Sequence, residues 1–198
     1  WPAGYTNGEG IARELGAHLA ESDWLTVSGG AFGIDAAAHR GALAVGGATA
    51  CVLAGGVDVP YPRSHADLLA RIRDSGVLIS EAPLGGAAMR HRFLTRNRLI
   101  AALSRGTVLV EAALRSGGRS TVREAGTLNR VVMAFPGPVT SPMSAGCHAV
   151  LRDETASLVT SPREVLAVVE GRLTRDAPGS ADADEALGWR ERRVLDAV

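Results

Sequence analysis

Lysine is absent: all 21 basic residues of this 198-residue sequence are arginines, and 21 aspartates and glutamates balance them. Every permanent cation is therefore a guanidinium, which pairs bidentately with phosphate, stacks on bases and keeps its charge at working pH. The zero net charge and pI of about 7.2 give no bulk attraction to nucleic acid. Cysteine is scarce. Cys51 and Cys147 lie outside any CxxC or Cys/His spacing, which leaves a disulfide framework and a zinc site without support and fits a reducing, cytoplasmic setting. No cofactor or metal is expected. No run approaches 18 apolar residues and no basic-then-apolar leader is visible, so neither a membrane span nor a signal peptide is expected. What remains is 46% hydrophobic and 21% charged, enough to bury the core of one good-sized domain.

Read in order, the chain alternates helix and strand. Ile11, Leu15 and Leu19, with Arg13, Glu14 and Glu21 among them, predict an amphipathic helix over 8–22. Short apolar runs predict strands at 24–27, 48–54, 77–80, 106–110, 131–135 and 157–160, with helices at 34–45, 64–75, 93–103, 119–128 and 162–170 between and after them. The prolines of Asp58-Val59-Pro60-Tyr61-Pro62 predict a rigid loop. This alternation implies an α/β fold, an extended Rossmann-like doubly wound, mostly parallel sheet with helices on both faces. Right-handed crossovers then gather the loops 29–33, 55–61, 81–92, 111–119 and 136–146 into one crevice. Residues 1–170 form the domain, with a first strand expected to lie upstream of the abrupt start at Trp1. Residues 171–186 carry almost nothing apolar and predict a flexible linker. Residues 187–198 have a helical pattern and predict the start of a truncated second domain.

The stretch Val27 to Asp35 joins a strand to a helix through Gly29, Gly30 and Gly33. Orphan N–H groups at the amino end of that helix favour an anion, and glycine lets a ligand reach the bare main chain. An ordinary tight turn explains glycine spacing alone equally well. Charge adds to the case: across 87–130 nine arginines face only Glu111 and Glu124, a local excess of nine minus two, or +7. Arg90 to Arg98 and Arg115 to Arg119 fall at loop-to-helix junctions and are expected to face a ligand, whereas Arg105 and Arg130 are expected on solvated surface. His39 is expected to be packed and hydrogen-bonded, and His91, among arginines, to be neutral. Asp35 is expected to brace the glycine loop, because a carboxylate aimed at a phosphate would repel it.

Six ordered motifs resemble the DNA-processing protein A (DprA, or Smf) family: SGGAFGIDAAAH at 28–39, LAGGVDVPYP at 53–62, ISEAPLG at 79–85, FLTRNRLIAALS at 93–104, VEAALRSGGRST at 110–121 and FPGPVTSPMSAGCHAVL at 135–151. The resemblance implies an extended Rossmann-like domain that binds single-stranded DNA, dimerises and hands the strand to the RecA recombinase during natural transformation, without being an enzyme. The residues expected at the DNA and phosphate site are Ser28, Gly29, Gly30, Phe32, Gly33, Arg96, Asn97, Arg98, Arg115, Ser116, Gly117 and Arg119. Phe32 stands where the family often has arginine, which exchanges a cation for a ring on which a base can stack. Ser116-Gly117-Gly118-Arg119 stands for its Ser-Gly-Ser-Leu, and Cys147 or His148 for a usual asparagine. The tail 189–195 looks like the entry to the family's winged-helix domain.

A competing reading is an enzyme of the nucleotide phosphoribohydrolase, lysine-decarboxylase-like type. Its Pro-Gly-Gly-x-Gly-Thr loop is missing. Glu111 and Glu124 remain as an acid and base, though arginine neighbours should keep both ionised. A third reading is a nucleotide-sensing module without catalysis.

Overall fold

The computed structural model describes residues 8–172 and 193–197. The amphipathic period of the first segment becomes α1 (Gly8–Glu21), which buries Ile11, Leu15 and Leu19. It lies against α2 (Ile34–Ala44) at a backbone-to-backbone crossing. A Cβ on Gly16 would strike the Ala38 carbonyl, and one on Gly41 the Arg13 carbonyl. Both positions therefore need glycine for the two helices to approach so closely.

β1 (Trp24–Ser28), β2 (Thr49–Val52), β3 (Val77–Ile79), β4 (Gly106–Leu109), β5 (Val131–Ala134), β6 (Ser157–Leu158) and β7 (Arg193–Ala197) form one seven-stranded sheet. Its order is β3-β2-β1-β7-β4-β5-β6, and every pairing is parallel. The remaining helices are α3 (Ala66–Ser75), preceded by a 3-10 turn at Arg63–His65, α4 (Arg90–Leu103), α5 (Gly118–Thr127), α6 (Ala145–Arg152) and α7 (Pro162–Val169). Alternate strand residues feed opposite faces, as the pleat requires. Trp24, Val108 and Met133 pack with α1 and α7, and Cys51 packs with Leu68, Leu69 and Ile72 of α3. Leu109, Val132 and Ala134 pack with Val122 of α5 and Val150 of α6, and Val27, Ala50 and Val52 with Ile100 of α4. The sheet is thus doubly wound.

Three expectations are corrected. The helical pattern read over 187–198 gives way, at 193–197, to β7, which pairs with β1 on one side and β4 on the other. An interior slot between parallel strands satisfies the backbone on both edges and buries Leu195 completely, which outweighs local helix preference. Most of the expected linker and the winged-helix entry at Trp189 lie outside the described residues, as do residues 1–7. The loop expected over 136–146 passes into α6 at Ala145, after Pro136, Pro138 and Pro142, where no helix is expected from the sequence. Ser157–Leu158 is shorter than the strand expected there. Among the described residues no helix is long and apolar enough to cross a membrane.

Candidate nucleic-acid interface

All strands run the same way, so their carboxyl ends share one edge, and the helices that leave β1 and β4 there go to opposite faces. This switch of direction opens a crevice. At its centre the chain leaves β1 through the glycine loop and enters α2 at Gly33, which sits at φ 83° with no side-chain cap. The first N–H groups of α2 are left for a ligand.

The loop is held from beneath. Asp35 accepts from the Ser28 hydroxyl at 3.0 Å and from the Ala31 N–H at 3.1 Å, which is the bracing role expected of it. His39 is fully buried; its Nε2–H donates to the Gly29 carbonyl at 2.8 Å, and its Nδ1 lies 2.8 Å from Thr49 Oγ1. Burial pushes the His39 pKa below 6.5, so the ring is neutral and Nδ1 is an acceptor. The one hydroxyl hydrogen of Thr49 serves either that nitrogen or the Thr26 carbonyl, 2.8 Å away. His65 Nδ1 donates to the Gly30 carbonyl at 3.1 Å. Phe32 projects from the loop, 68% exposed, with its ring edge-on to His65 at 4.6 Å between centroids.

The α4 helix supplies the cation. Arg96 is 8% exposed and donates through Nη1 to the Val52 carbonyl at the end of β2, while its Nε has no partner. A Cβ on Gly29 would lie 2.5 Å from the Asp35 carboxylate and 2.6 Å from Arg96 Nη2, so only glycine fits between them. Asn97 Nδ2 donates to the Gly117 carbonyl at 3.3 Å, tying α4 to the uncapped amino end of α5. In the 115–119 loop Ser116 Oγ is buried without a partner, and Arg115 is exposed. Arg119 donates through Nη1 to the Leu114 carbonyl at 2.6 Å. Arg98 turns elsewhere and pairs with Glu81 at 2.6 and 2.8 Å.

Two concavities share this ground. A crevice of about 440 Å³ lies between α2, α4 and α5, with Phe32, Gly33, Arg96, Asn97, Ser116 and Gly117 in its wall. A smaller apolar pocket of about 150 Å³ adjoins it under Phe32, walled by Leu53, Tyr61, Pro62 and Phe93. Tyr61 and Phe93 meet edge-on at 5.6 Å. Phe32, Gly33, Arg96, Asn97, Ser116 and Gly117 line the larger crevice and Gly30 the smaller pocket, whereas Ser28 and Gly29 lie beneath the loop, Arg98 is drawn away, and Arg115 and Arg119 only flank the crevice in sequence. The expected run of positive charge is corrected inside it, where one guanidinium meets the carboxylates of Glu9, Asp35 and Glu111. Glu124 is absent from its wall and lies 3.9 Å from Arg123. Sequence reasoning missed Tyr61, Phe93, His65 and Glu9 as site residues. Signals existed for Tyr61, which ends the 55–61 loop assigned to the crevice, and for Phe93, which stands one helical turn before Arg96 and shares its face.

Similarity to known proteins follows the same outline. A family model described as DNA recombination-mediator protein A matches residues 5–170. The putative DNA processing protein DprA of Mycobacterium tuberculosis strain H37Rv is 52% identical over 193 residues, covering 96% of this chain and 49% of that protein. The chain spans about half the length of the curated relatives it matches. Among solved structures, DNA processing protein A from Streptococcus pneumoniae superposes with a TM-score of 0.74 at 38% identity, covering 83% of this chain and 58% of the other. DNA processing protein A from Helicobacter pylori, for which a unique single-stranded DNA binding mode is described, superposes with a TM-score of 0.77 at 25% identity over 86% of this chain and 77% of the other. The glycine loop, the α4 arginine and the doubly wound sheet thus come with a match along most of the sequence, and the chain belongs to the DNA recombination-mediator protein A family, whose members are named DprA or Smf.

Proposed function

We propose that this chain binds single-stranded DNA at the carboxyl edge of its sheet, without catalysis, and that the protein it represents acts as a dimer that loads a RecA recombinase onto the strand during DNA uptake. One observation carries the DNA reading. The exposed Phe32 ring joins an apolar pocket walled by Tyr61 and Phe93 to a glycine loop and Arg96, so a surface for a base lies beside a surface for a phosphate. Base stacking on aromatic rings serves single strands because every base has a π-face, and an unpaired base is needed to reach the pocket. Single-stranded DNA binding by the Helicobacter pylori relative supports the same reading. The recombinase and the dimer rest on family membership.

The test is a titration of labelled oligothymidine, the matching duplex and labelled AMP, with product analysis. Binding of the single strand in preference to duplex, with no base or phosphate released from either nucleotide, is the expected result. A second reading, nucleotide hydrolysis of the phosphoribohydrolase type, is favoured by one observation, the Glu111 carboxylate in the crevice wall. Release of free adenine from AMP would select it.

A further inference from the structure

The carboxylates of the larger crevice find no donor on the backbone of an interior DNA nucleotide. An interior deoxynucleotide carries hydrogen at C2′ and ester oxygens at C3′ and C5′, so its backbone presents acceptors alone. An ionised carboxylate is also only an acceptor. Glu9 and Glu111 nonetheless line the crevice, and among the described residues neither forms an ion pair. Glu9 Oε1 lies 3.9 Å from where a Cβ on Gly33 would stand, and Glu111 Oε2 packs against Gly8. Both acids therefore reach the ground beside the amino end of α2.

The same crevice also carries groups suited to an anion. The amino ends of α2 and α5 lack side-chain caps, the buried Arg96 keeps an unpartnered Nε, and the buried Ser116 hydroxyl has no partner. Donors and acceptors in one crevice of about 440 Å³ suit a ligand that carries a phosphate and a hydroxyl on the same sugar. Building on the nucleic-acid reading of this edge, we propose that the crevice holds a nucleotide with a free sugar hydroxyl. Its phosphate sits at the amino end of α5 beside Ser116 and Arg96, and its hydroxyl donates to Glu111 or Glu9 at the amino end of α2. Two molecules offer this chemistry: the 3′ end of a strand and a free ribonucleotide. A phosphate bound at helix amino ends is general chemistry, and the carboxylate on a ribose hydroxyl has the logic of dinucleotide sites.

Three probes separate the sources: a short 5′-labelled oligothymidine ending in a 3′ hydroxyl, the same oligonucleotide ending in a 3′ phosphate, and fluorescent AMP challenged with AMP or 2′,3′-dideoxy-AMP. The expected result for a strand end is about tenfold tighter binding of the 3′-hydroxyl oligonucleotide, the order of one charge-assisted hydrogen bond. Glu111→Gln, checked for folding by thermal melting, should erase that difference. Glu9→Gln, in the exposed first turn of α1, gives a second measurement if the first variant unfolds. Displacement of fluorescent AMP by AMP but not by its dideoxy form assigns the crevice to a free ribonucleotide, even if no oligonucleotide binds and the strand reading fails. Equal binding of both oligonucleotides with no AMP binding overturns the proposal and leaves strand binding standing. An equal gain for both oligonucleotides in Glu111→Gln also overturns it, because the carboxylate would then only repel phosphate.

Discussion

His39 and His65 donate to the carbonyl oxygens of consecutive glycines, Gly29 and Gly30, at 2.8 and 3.1 Å. One histidine comes from α2 and the other from the 3-10 turn before α3, so two separate elements draw the same two carbonyls inward. The N–H groups that follow, at the start of α2, are left on the outer side of the loop, where a phosphate can reach them.

His39 makes stability depend on pH. Burial holds its folded pKa below 6.5, near which the unfolded chain titrates. Below pH 6.5 the unfolded state therefore takes up a proton that folded His39 refuses. The stabilisation is complete above 6.5 and is lost as pH falls from there through the folded pKa. Urea unfolding between pH 7.5 and 5 should show a falling midpoint in the wild type and a shallower fall in His39→Gln. An identical pH slope in both proteins would show that this ring does not titrate on unfolding.

Gly29→Ala should be destabilising by roughly 1–3 kcal/mol, the usual cost of overpacking. The added methyl meets the guanidinium of Arg96, held by the Val52 carbonyl, and the carboxylate of Asp35, held by Ser28 and Ala31. Gly117→Ala is the matched control. It has φ −63° and open space around its Cβ position, so it should be neutral or stabilising by about 0.4–1 kcal/mol. Thermal melts of the two variants check the pair, and equal losses would contradict the placement of Arg96 over the glycine loop.

Phe32→Ala should weaken oligothymidine binding by about 1–3 kcal/mol, the range for one base stacked on a ring. Because the ring is 68% exposed, the melting temperature should hardly change. A variant that melts early yet binds normally would make Phe32 a packing residue instead.

Arg115→Ala and Arg119→Ala should each flatten the dependence of log K on log salt by about 0.7, one phosphate contact on a single strand. Arg105 precedes β4 and so lies at the amino edge of the sheet, away from the crevice. Arg105→Ala should leave the slope unchanged, although all three variants lose one charge. Arg119→Ala also releases the Leu114 carbonyl, so its affinity should fall at high salt too. Equal slopes in the three variants would mean that only overall field matters.

Much of the fold is legible because its signals are local. The 3.6-residue period of Ile11, Leu15 and Leu19 and the short apolar runs each report one element, and a glycine loop between a strand and a helix reports the site. Asp35 is readable as a brace because a carboxylate one position into a helix has backbone donors within reach. What the sequence hides is the set of meetings between distant segments. Arg98 looks free until Glu81, 17 residues away, arrives beside it. Glu9 and Glu111 come from the first helix and the fourth strand-end, so no spacing rule joins them. The strand at 193–197 is a tertiary choice, made by the slot between β1 and β4 rather than by its own five residues.

The chain folds as two successive windings, β1 to β3 and β4 to β6, and the crevice belongs to neither. Gly33, Arg96 and Asn97 come from the segment that ends with α4, whereas Glu111, Ser116 and Gly117 come from the segment that begins with β4. A chain cut between Leu103 and Gly106 would divide the site in two. Any occupant would then act as a bridge between the pieces, and its affinity would be thermodynamically linked to their reassembly: ligand would hold the fragments together, and separated fragments would hold no ligand.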